Sequence, residues 1–261
     1  MGDETASAGD TQDDPLGDAG RLLLELHGQQ FDFRYTNSEY MRNVVLAILK
    51  GQEYPLLKSS SFTPTTIVDA GANVGATALF FHHAYPAADV FCYEPSEENF
   101  RCLRENTSRF ANKIHIFHYG LLDRDCQLPL YRGTSQTGQN SLVSNTETTA
   151  APTESVRLVK ASREAAERGW NHISILKLDT EGCEVPILSE LLASVPDIEL
   201  IYCEYHAEDD RRTIDALVAD RFCLYWATAT KLHQGTCLYM ARSLIAKFPD
   251  ADIQQKSFRA G

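Results

Sequence analysis

Three features of this chain combine residue types and spacings that could do chemistry. They are the turn "DAGANVG" at 69–75, Glu94 in "CYEPSEENF", and two residue pairs, Asp179/Glu181 in "LKLDTEGCE" and Glu204/His206 in "YCEYH". A glycine turn between a β-branched run and an Ala/Leu/Phe stretch can cradle a phosphate, a dinucleotide or the amino-acid end of S-adenosylmethionine. The dinucleotide fingerprint GxGxxG needs three glycines, and a P-loop ends in Gly-Lys-Ser/Thr. Here Asp69, Gly71 and Gly75 give DxGxxxG, and no such Lys follows. A carboxylate at Asp69 would oppose a pyrophosphate but attract the ammonium of a methionine moiety. Glu94, 23 residues past Gly71, can accept from both ribose hydroxyls, a feature that adenosine sites share. Together the two signals favour S-adenosylmethionine over NAD.

Residues two apart in a strand point to the same face, so Asp179/Glu181 and Glu204/His206 are expected to converge at one end of a sheet. Methyl transfer is an in-line displacement in which the enzyme supplies alignment and activates the nucleophile. An alcohol, about as weak an acid as water at pKa ~15.7, must lose its proton as it attacks. His206 or one of the carboxylates Asp179, Glu181 and Glu204 is the candidate catalytic base. A carboxylate acceptor needs no base and would instead be positioned by a cation, for which Arg132 is the candidate. An Asp/Glu/His group can also hold a divalent ion. No dedicated ligand-loop pattern is present, so no metal is expected.

The elements that must position these residues alternate. "TTIVDA" reads as a strand leading to a helix over 74–84, and "DVFCYE" as a strand leading to a helix over 96–110. "KIHIFHYGLL" reads as a third strand, "ISILKLD" as a fourth and "ELIYCEYH" as a fifth, the last two each followed by a helix. Two final strands, around 222–230 and 236–242, are joined too tightly for a helical crossover and must pair antiparallel. Near-continuous apolar strands between helices indicate a mostly parallel sheet covered on both faces. The expectation is an α/β, Rossmann-like class I methyltransferase fold with seven strands and an antiparallel terminal hairpin. The predicted organisation is a disordered acidic tail (1–20), a strand and helix cap (21–55), a catalytic domain (56–246) and a C-terminal tail (247–261). Within the cap, "RLLLELHGQQFDFRY" reads as two strands and "NSEYMRNVVLAILK" as an amphipathic helix. The polar stretch 129–160 is long for a loop inside a domain and reads as a substrate-side flap, with "LPLYRG" and "ESVRLVK" able to pair as a hairpin.

Composition narrows the partners. The net charge is −12, but the first 18 residues carry six acids and no base, leaving −6 on the body. An acidic body without a basic stripe argues against nucleic-acid binding, which draws its affinity from phosphate neutralisation. No apolar run approaches the ~18–20 residues of a membrane span, and the acidic start is not a secretory leader. The seven scattered cysteines form no CxxC pair and read as reduced. The expected setting is cytoplasmic, with a small-molecule partner; the oligomeric state is open.

"VDAGANVG", "YEPSEENF", "GQNSL" and "LKLDTEGCE", in that order, resemble the FkbM family of S-adenosylmethionine-dependent methyltransferases over about residues 52–206. The first two blocks are common to many class I enzymes; the fourth is specific to the family. The resemblance implies S-adenosylmethionine as donor and O-methylation of a hydroxyl on a sugar or natural product, as in secondary metabolism. Residue by residue, it places Asp69, Gly71, Asn73, Val74, Glu94 and Pro95 at the donor and Gly120 and Leu121 beside the adenine. Asn140 and Ser141 match the family's flap motif and would contact the acceptor. A carboxyl methyltransferase is the nearest chemical alternative. An NAD-linked oxidoreductase and a noncatalytic binding protein of the same fold are the alternatives from other classes.

Overall fold

The computed structural model describes residues 19–26, 29–36, 38–58, 62–132, 151–247 and 252–254. The acidic tail, Asn140 and Ser141 in the flap, and most of the C-terminal tail lie outside the described residues. The chain begins with an antiparallel hairpin, β1 (Gly20–Leu26) and β2 (Gln29–Tyr35). Helix α1 (Glu39–Leu49) follows; its cap is Ser38, whose hydroxyl accepts from Met41 N at 3.0 Å. Met41, Val45, Ile48 and Leu49 are buried, as the apolar spacing predicts, and α1 packs on α2 (Ala76–Ala84).

Next come β3 (Leu56–Lys58), β4 (Thr66–Ala70), α2, β5 (Asp89–Tyr93), α3 (Glu97–Thr107), β6 (Ile114–Phe117), β7 (Gly120–Leu122) and β8 (Cys126–Leu130). The second half runs β9 (Glu154–Lys160), α4 (Ala161–Arg168), β10 (His172–Leu178), α5 (Glu184–Ser194), β11 (Asp197–Tyr205) and α6 (Glu208–Val218). It ends in β12 (Phe222–Lys231), β13 (Gln234–Ala241), α7 (Arg242–Lys247) and β14 (Asp252–Gln254).

Seven strands form one sheet in the order β12-β13-β11-β10-β4-β5-β6. The neighbours from β11 to β6 are parallel, while β13 is antiparallel to both β11 and β12. A single reversed strand next to the edge is the class I methyltransferase arrangement expected from the tight final connection. The central strands are buried end to end: Ile173, Ile175, Leu176 and Leu178 are inaccessible, each such side chain contributing ~1.5–3 kcal/mol of burial. No helix among the described residues is long and apolar enough to cross a membrane.

Two departures from the sequence reading, and one expected hairpin that gains a third strand, bear on the site. The run predicted as one third strand breaks at His118–Tyr119: β6 stays in the main sheet, while β7 pairs parallel with β9. The flap hairpin forms as β8 against β9, so β7-β9-β8 is a separate three-stranded sheet. Helix α4, not anticipated, lies between β9 and β10; its Glu164 is buried and accepts hydrogen bonds from Tyr93, Tyr119 and Arg168. Two of those partners, Tyr93 and Tyr119, lie far away in the chain, so a local reading of this octapeptide could not see them.

Candidate active site

The carboxyl ends of β4, β5, β10 and β11 open onto a cavity of about 320 Å³. Chain reversal after the parallel strands puts the loops of a doubly wound sheet at this edge. Two groups of lining residues separate along it.

The first group comes from β4, β5 and β7. Gly71 (φ +80°) turns the chain so that Gly71 N and Ala72 N both donate to Tyr93 O at 3.0 Å. Asn73 is left-handed (φ +49°), and its N–H donates to Glu94 Oε2 at 2.8 Å. Ser96 N donates to the other Glu94 oxygen at 2.9 Å. Glu94 is therefore fixed by backbone donors with its carboxylate at the cavity wall, beside Pro95, Asn99, Gly120 and Leu121. Burial raises its pKa, two backbone hydrogen bonds oppose that, and the net is a carboxyl pushed up to about 7. The Oδ1 of Asn73 is buried with no hydrogen-bond partner among the described residues. An orphaned acceptor beside an oriented carboxylate fits the hydroxyl- and amine-bearing donor molecule expected from the sequence.

Two predicted donor residues stand behind this wall. Val74 is buried, and its carbonyl accepts from Asn106 Nδ2 at 2.7 Å, tying the turn to the N-terminal hairpin through Arg34. Asp69 is fully buried, 3.0 Å from Lys177 Nζ, and is not among the cavity-lining residues. The expectation that its charge directly meets an ammonium is corrected: Lys177 already neutralises it.

The second group lies at the other end. Asp179, Glu181 and Glu204 line the cavity with Tyr40, Glu53 and Tyr54 from the N-terminal segment and Thr230, Lys231 and Gln234 from the β12–β13 hairpin. The predicted convergence of 179, 181 and 204 is observed. Tyr54 Oη donates to Asp179 Oδ2 at 3.2 Å. Asp179 and Glu204 share a hydrogen bond and titrate as a pair. Burial raises Asp179, but Lys177 and the Glu204 and Tyr54 hydrogen bonds outweigh it and hold the carboxyl low. Burial and the Asp179 charge push Glu204 well up. Within the pair the charge is thus favoured on Asp179 and the proton on Glu204.

His206 stands behind these carboxylates, 2.9 Å from Glu181 and 3.9 Å from Glu204, and does not line the cavity. Burial disfavours its charge, yet the Glu181 hydrogen bond and the surrounding acids overcome that and push its pKa up to about 9. An imidazolium at neutral pH has no free lone pair for an incoming proton, which corrects the expectation of a base at this position. Asp179, Glu181 and His206 offer ligand atoms within 4.8 Å of one another, a grouping that can hold an ion pair or a divalent ion. Arg132 pairs with Glu98 of α3 and is absent from the cavity wall, so it is not placed to receive an acceptor carboxylate.

Sequence reasoning missed four contributors. Glu184 accepts from Thr180 N at 2.6 Å and Gly182 N at 3.0 Å, capping the turn that holds Glu181 in a left-handed conformation (φ +57°). The last Glu of "DTEGCE", at the first position of a helix, was a readable sign of it. Tyr40, Glu53 and Tyr54 come from a segment with no motif, brought in by the packing of α1 on α2 and of Tyr54 on Phe81 and Tyr202.

Residues 69–234 match the family described as methyltransferase FkbM domain. Among curated relatives, the hexuronic acid methyltransferase AglP of Haloferax volcanii is 24% identical over 155 residues, 58% of this chain and 60% of that protein. The AMB antimetabolite synthetase AmbE of Pseudomonas aeruginosa is 25% identical over 182 residues, 56% of this chain and 9% of that protein. The chain thus spans less than two thirds of the length of either curated relative. The crystal structure of an FkbM methyltransferase from Methylobacillus flagellatus aligns with a TM-score of 0.49 at 14% identity, covering 68% of this chain and 43% of that one.

Proposed function

The chain belongs to the methyltransferase FkbM domain family, and from that premise we propose that it transfers the methyl group of S-adenosylmethionine to a hydroxyl oxygen of a small molecule such as a sugar or natural product. Bound S-adenosylmethionine supplies a methyl group on a sulfonium that leaves readily. Glu94, Asn73 and the Gly71 turn hold the donor's ribose and methionine portions, and Leu121 and Pro95 flank the base. At the other end the ionised member of the Asp179–Glu204 pair accepts the hydroxyl proton as the oxygen attacks. Tyr54 and Lys177 keep Asp179 in place. His206 orients Glu181 as its counter-ion. The reading invokes no metal ion, because the imidazolium already answers the carboxylates that would serve as ligands.

One observation carries the choice of a hydroxyl over a carboxyl acceptor: Glu53, Asp179, Glu181 and Glu204 all line the acceptor end. A carboxylate brought there would meet the Asp179 charge and four acids against one lining cation among the described residues, Lys231, and a polyanion such as nucleic acid would meet the same imbalance at every phosphate. The relative named for hexuronic acid makes sugar acids one acceptor class to test, with transfer expected at a hydroxyl. The test is labelled-methyl transfer to a panel of sugars, sugar acids and hydroxylated natural products, followed by mild alkali. Label that survives is an ether and agrees with the proposal. Label released as methanol is an ester and overturns it.

Donor binding is expected to depend on pH. Ionised Glu94 accepts from ribose hydroxyls more strongly than its protonated form, since charge-assisted bonds are roughly twice as strong. Its pKa of about 7 puts the change near neutrality, with tighter binding on the alkaline side. Calorimetry with S-adenosylhomocysteine should show affinity rising about tenfold from pH 6 to pH 8. The Glu94→Gln variant should bind weakly at both pH values, with the slope gone.

A further inference from the structure

Lys177 lies in the middle of the sheet on β10, directly beside Asp69 on β4 and Tyr202 on β11. It is 1% exposed, and no chemical role was expected of it within the apolar run "ISILKLD". Burying an ammonium and a carboxylate together is often no more stabilising than an apolar pair of the same size, so packing alone does not explain the charge. Its contacts reach beyond Asp69. The ammonium, with three hydrogens to give, is 2.6 Å from Gly71 O and 3.4 Å from Ala70 O in the donor turn. It is also 3.5 Å from Asp179 Oδ2 at the acceptor end. The Tyr54 ring centre is 6.0 Å away, and the Tyr54 hydroxyl holds the same Asp179 oxygen.

We propose that Lys177 is a positioning residue that joins the two halves of the site, its ammonium fixing the Gly71 carbonyl of the donor turn and the Asp179 carboxylate of the acceptor end in one geometry. The proposal rests on the methyl-transfer reading, in which the distance between donor methyl and acceptor base is what the enzyme must set. Asp69 is then a second carboxylate beside the ammonium and not a group that touches the donor; without it, Asp179 and the Gly71 carbonyl still hold the ammonium. The titratable groups around the ammonium are Asp69, Asp179, Tyr54, Glu204, Glu94 and Cys92, and Asp179 is the acid among them that Lys177 holds at the cavity wall.

Lys177→Met alone strands Asp69 buried and unpaired, and is expected to unfold. The informative variant is Asp69→Asn/Lys177→Met, which removes both buried charges at similar volume; Asp69→Asn alone retains the ammonium. Each is checked by thermal melting, by calorimetry with S-adenosylhomocysteine, and by the titration midpoint of Asp179 in carboxyl-¹³C NMR, assigned against Asp179→Asn. In the double variant S-adenosylhomocysteine affinity should fall about tenfold or more, the loss of a charge-assisted bond to the turn. The Asp179 midpoint should rise by about one pH unit or more as its cation is removed. In Asp69→Asn both readouts should stay much closer to wild type. A folded double variant with wild-type affinity and midpoint, or an Asp69→Asn variant that loses as much, overturns the role of Lys177. Failure of the wild-type protein to bind S-adenosylhomocysteine would instead overturn the methyl-transfer reading beneath it.

Discussion

Asp179→Asn is expected to lower single-turnover methyl transfer by about 10²–10⁴-fold, the range for loss of a positioned general base, with donor affinity changed far less. The amide keeps the shape and can still accept from Tyr54, but it cannot take a proton. The partner substitution separates this from a general effect on the cluster. Because burial and the Asp179 charge favour the proton on Glu204, Glu204→Gln puts a neutral group of the same shape there and should cost about tenfold or less. The order of the two effects is the decisive result. A Glu204→Gln loss larger than that of Asp179→Asn would move the base to Glu204. In the wild-type enzyme, transfer should fall on the acid side as Asp179 is protonated, and the direction of the Asp179 shift puts that limb below the ordinary carboxylate range.

Gly71→Ala should have the largest effect on donor binding. A Cβ at this position would lie 1.7 Å from the carbonyl oxygen of Asp179, and the residue has φ +80°. The left-handed conformation alone costs a side chain ~1–2 kcal/mol. The clash adds to it, and no rotamer relieves it because the obstacle is backbone. The donor turn and the Asp179 strand end must move apart, so S-adenosylhomocysteine affinity should drop roughly a hundredfold, with a lowered melting temperature. Gly182→Ala is the control. It also has positive φ (+112°), but nothing lies within 4 Å of the added carbon, so it carries the conformational cost without the collision. Equal losses in the two variants would mean that close approach at Gly71 is unimportant.

Much of this site was legible in the sequence, for identifiable reasons. A buried parallel strand announces itself as an apolar run, and the residue at its carboxyl end faces the crevice whatever the rest of the fold does. That is why Asp179, Glu181, Glu204 and His206 could be expected at one crevice from "ISILKLDTE" and "LIYCEYH", and Glu94 at a strand end from "VFCYE"; the cavity takes the three acids of that group and leaves His206 behind them. The reversed seventh strand followed from a connection too short for a crossover. What the sequence hid was anything that depended on depth or on distant partners. Asp69 and Asp179 both lie near strand ends, yet Asp69, within β4 and in register with Lys177, is sealed beneath the turn, while Asp179, one residue past β10, lines the cavity. His206 follows the end of β11, two residues after Glu204, but its protonation follows from Glu181 at 2.9 Å, which no spacing rule supplies. Arg132 was a free cation in sequence and is an ion-pair partner of Glu98 in the fold. Tyr40, Glu53 and Tyr54 arrive through the packing of Tyr54 and of α1, a helix whose amphipathic pattern shows that it docks and not where.

The central claim is that the turn at 69–75 with Glu94 holds a methyl donor and not a dinucleotide. Calorimetry of the wild-type chain with S-adenosylhomocysteine and, in parallel, with NADH tests it most directly. The expected result is saturable one-to-one binding of S-adenosylhomocysteine, weakened by Glu94→Gln, and no heat of binding with NADH. Binding of NADH without S-adenosylhomocysteine would contradict the account.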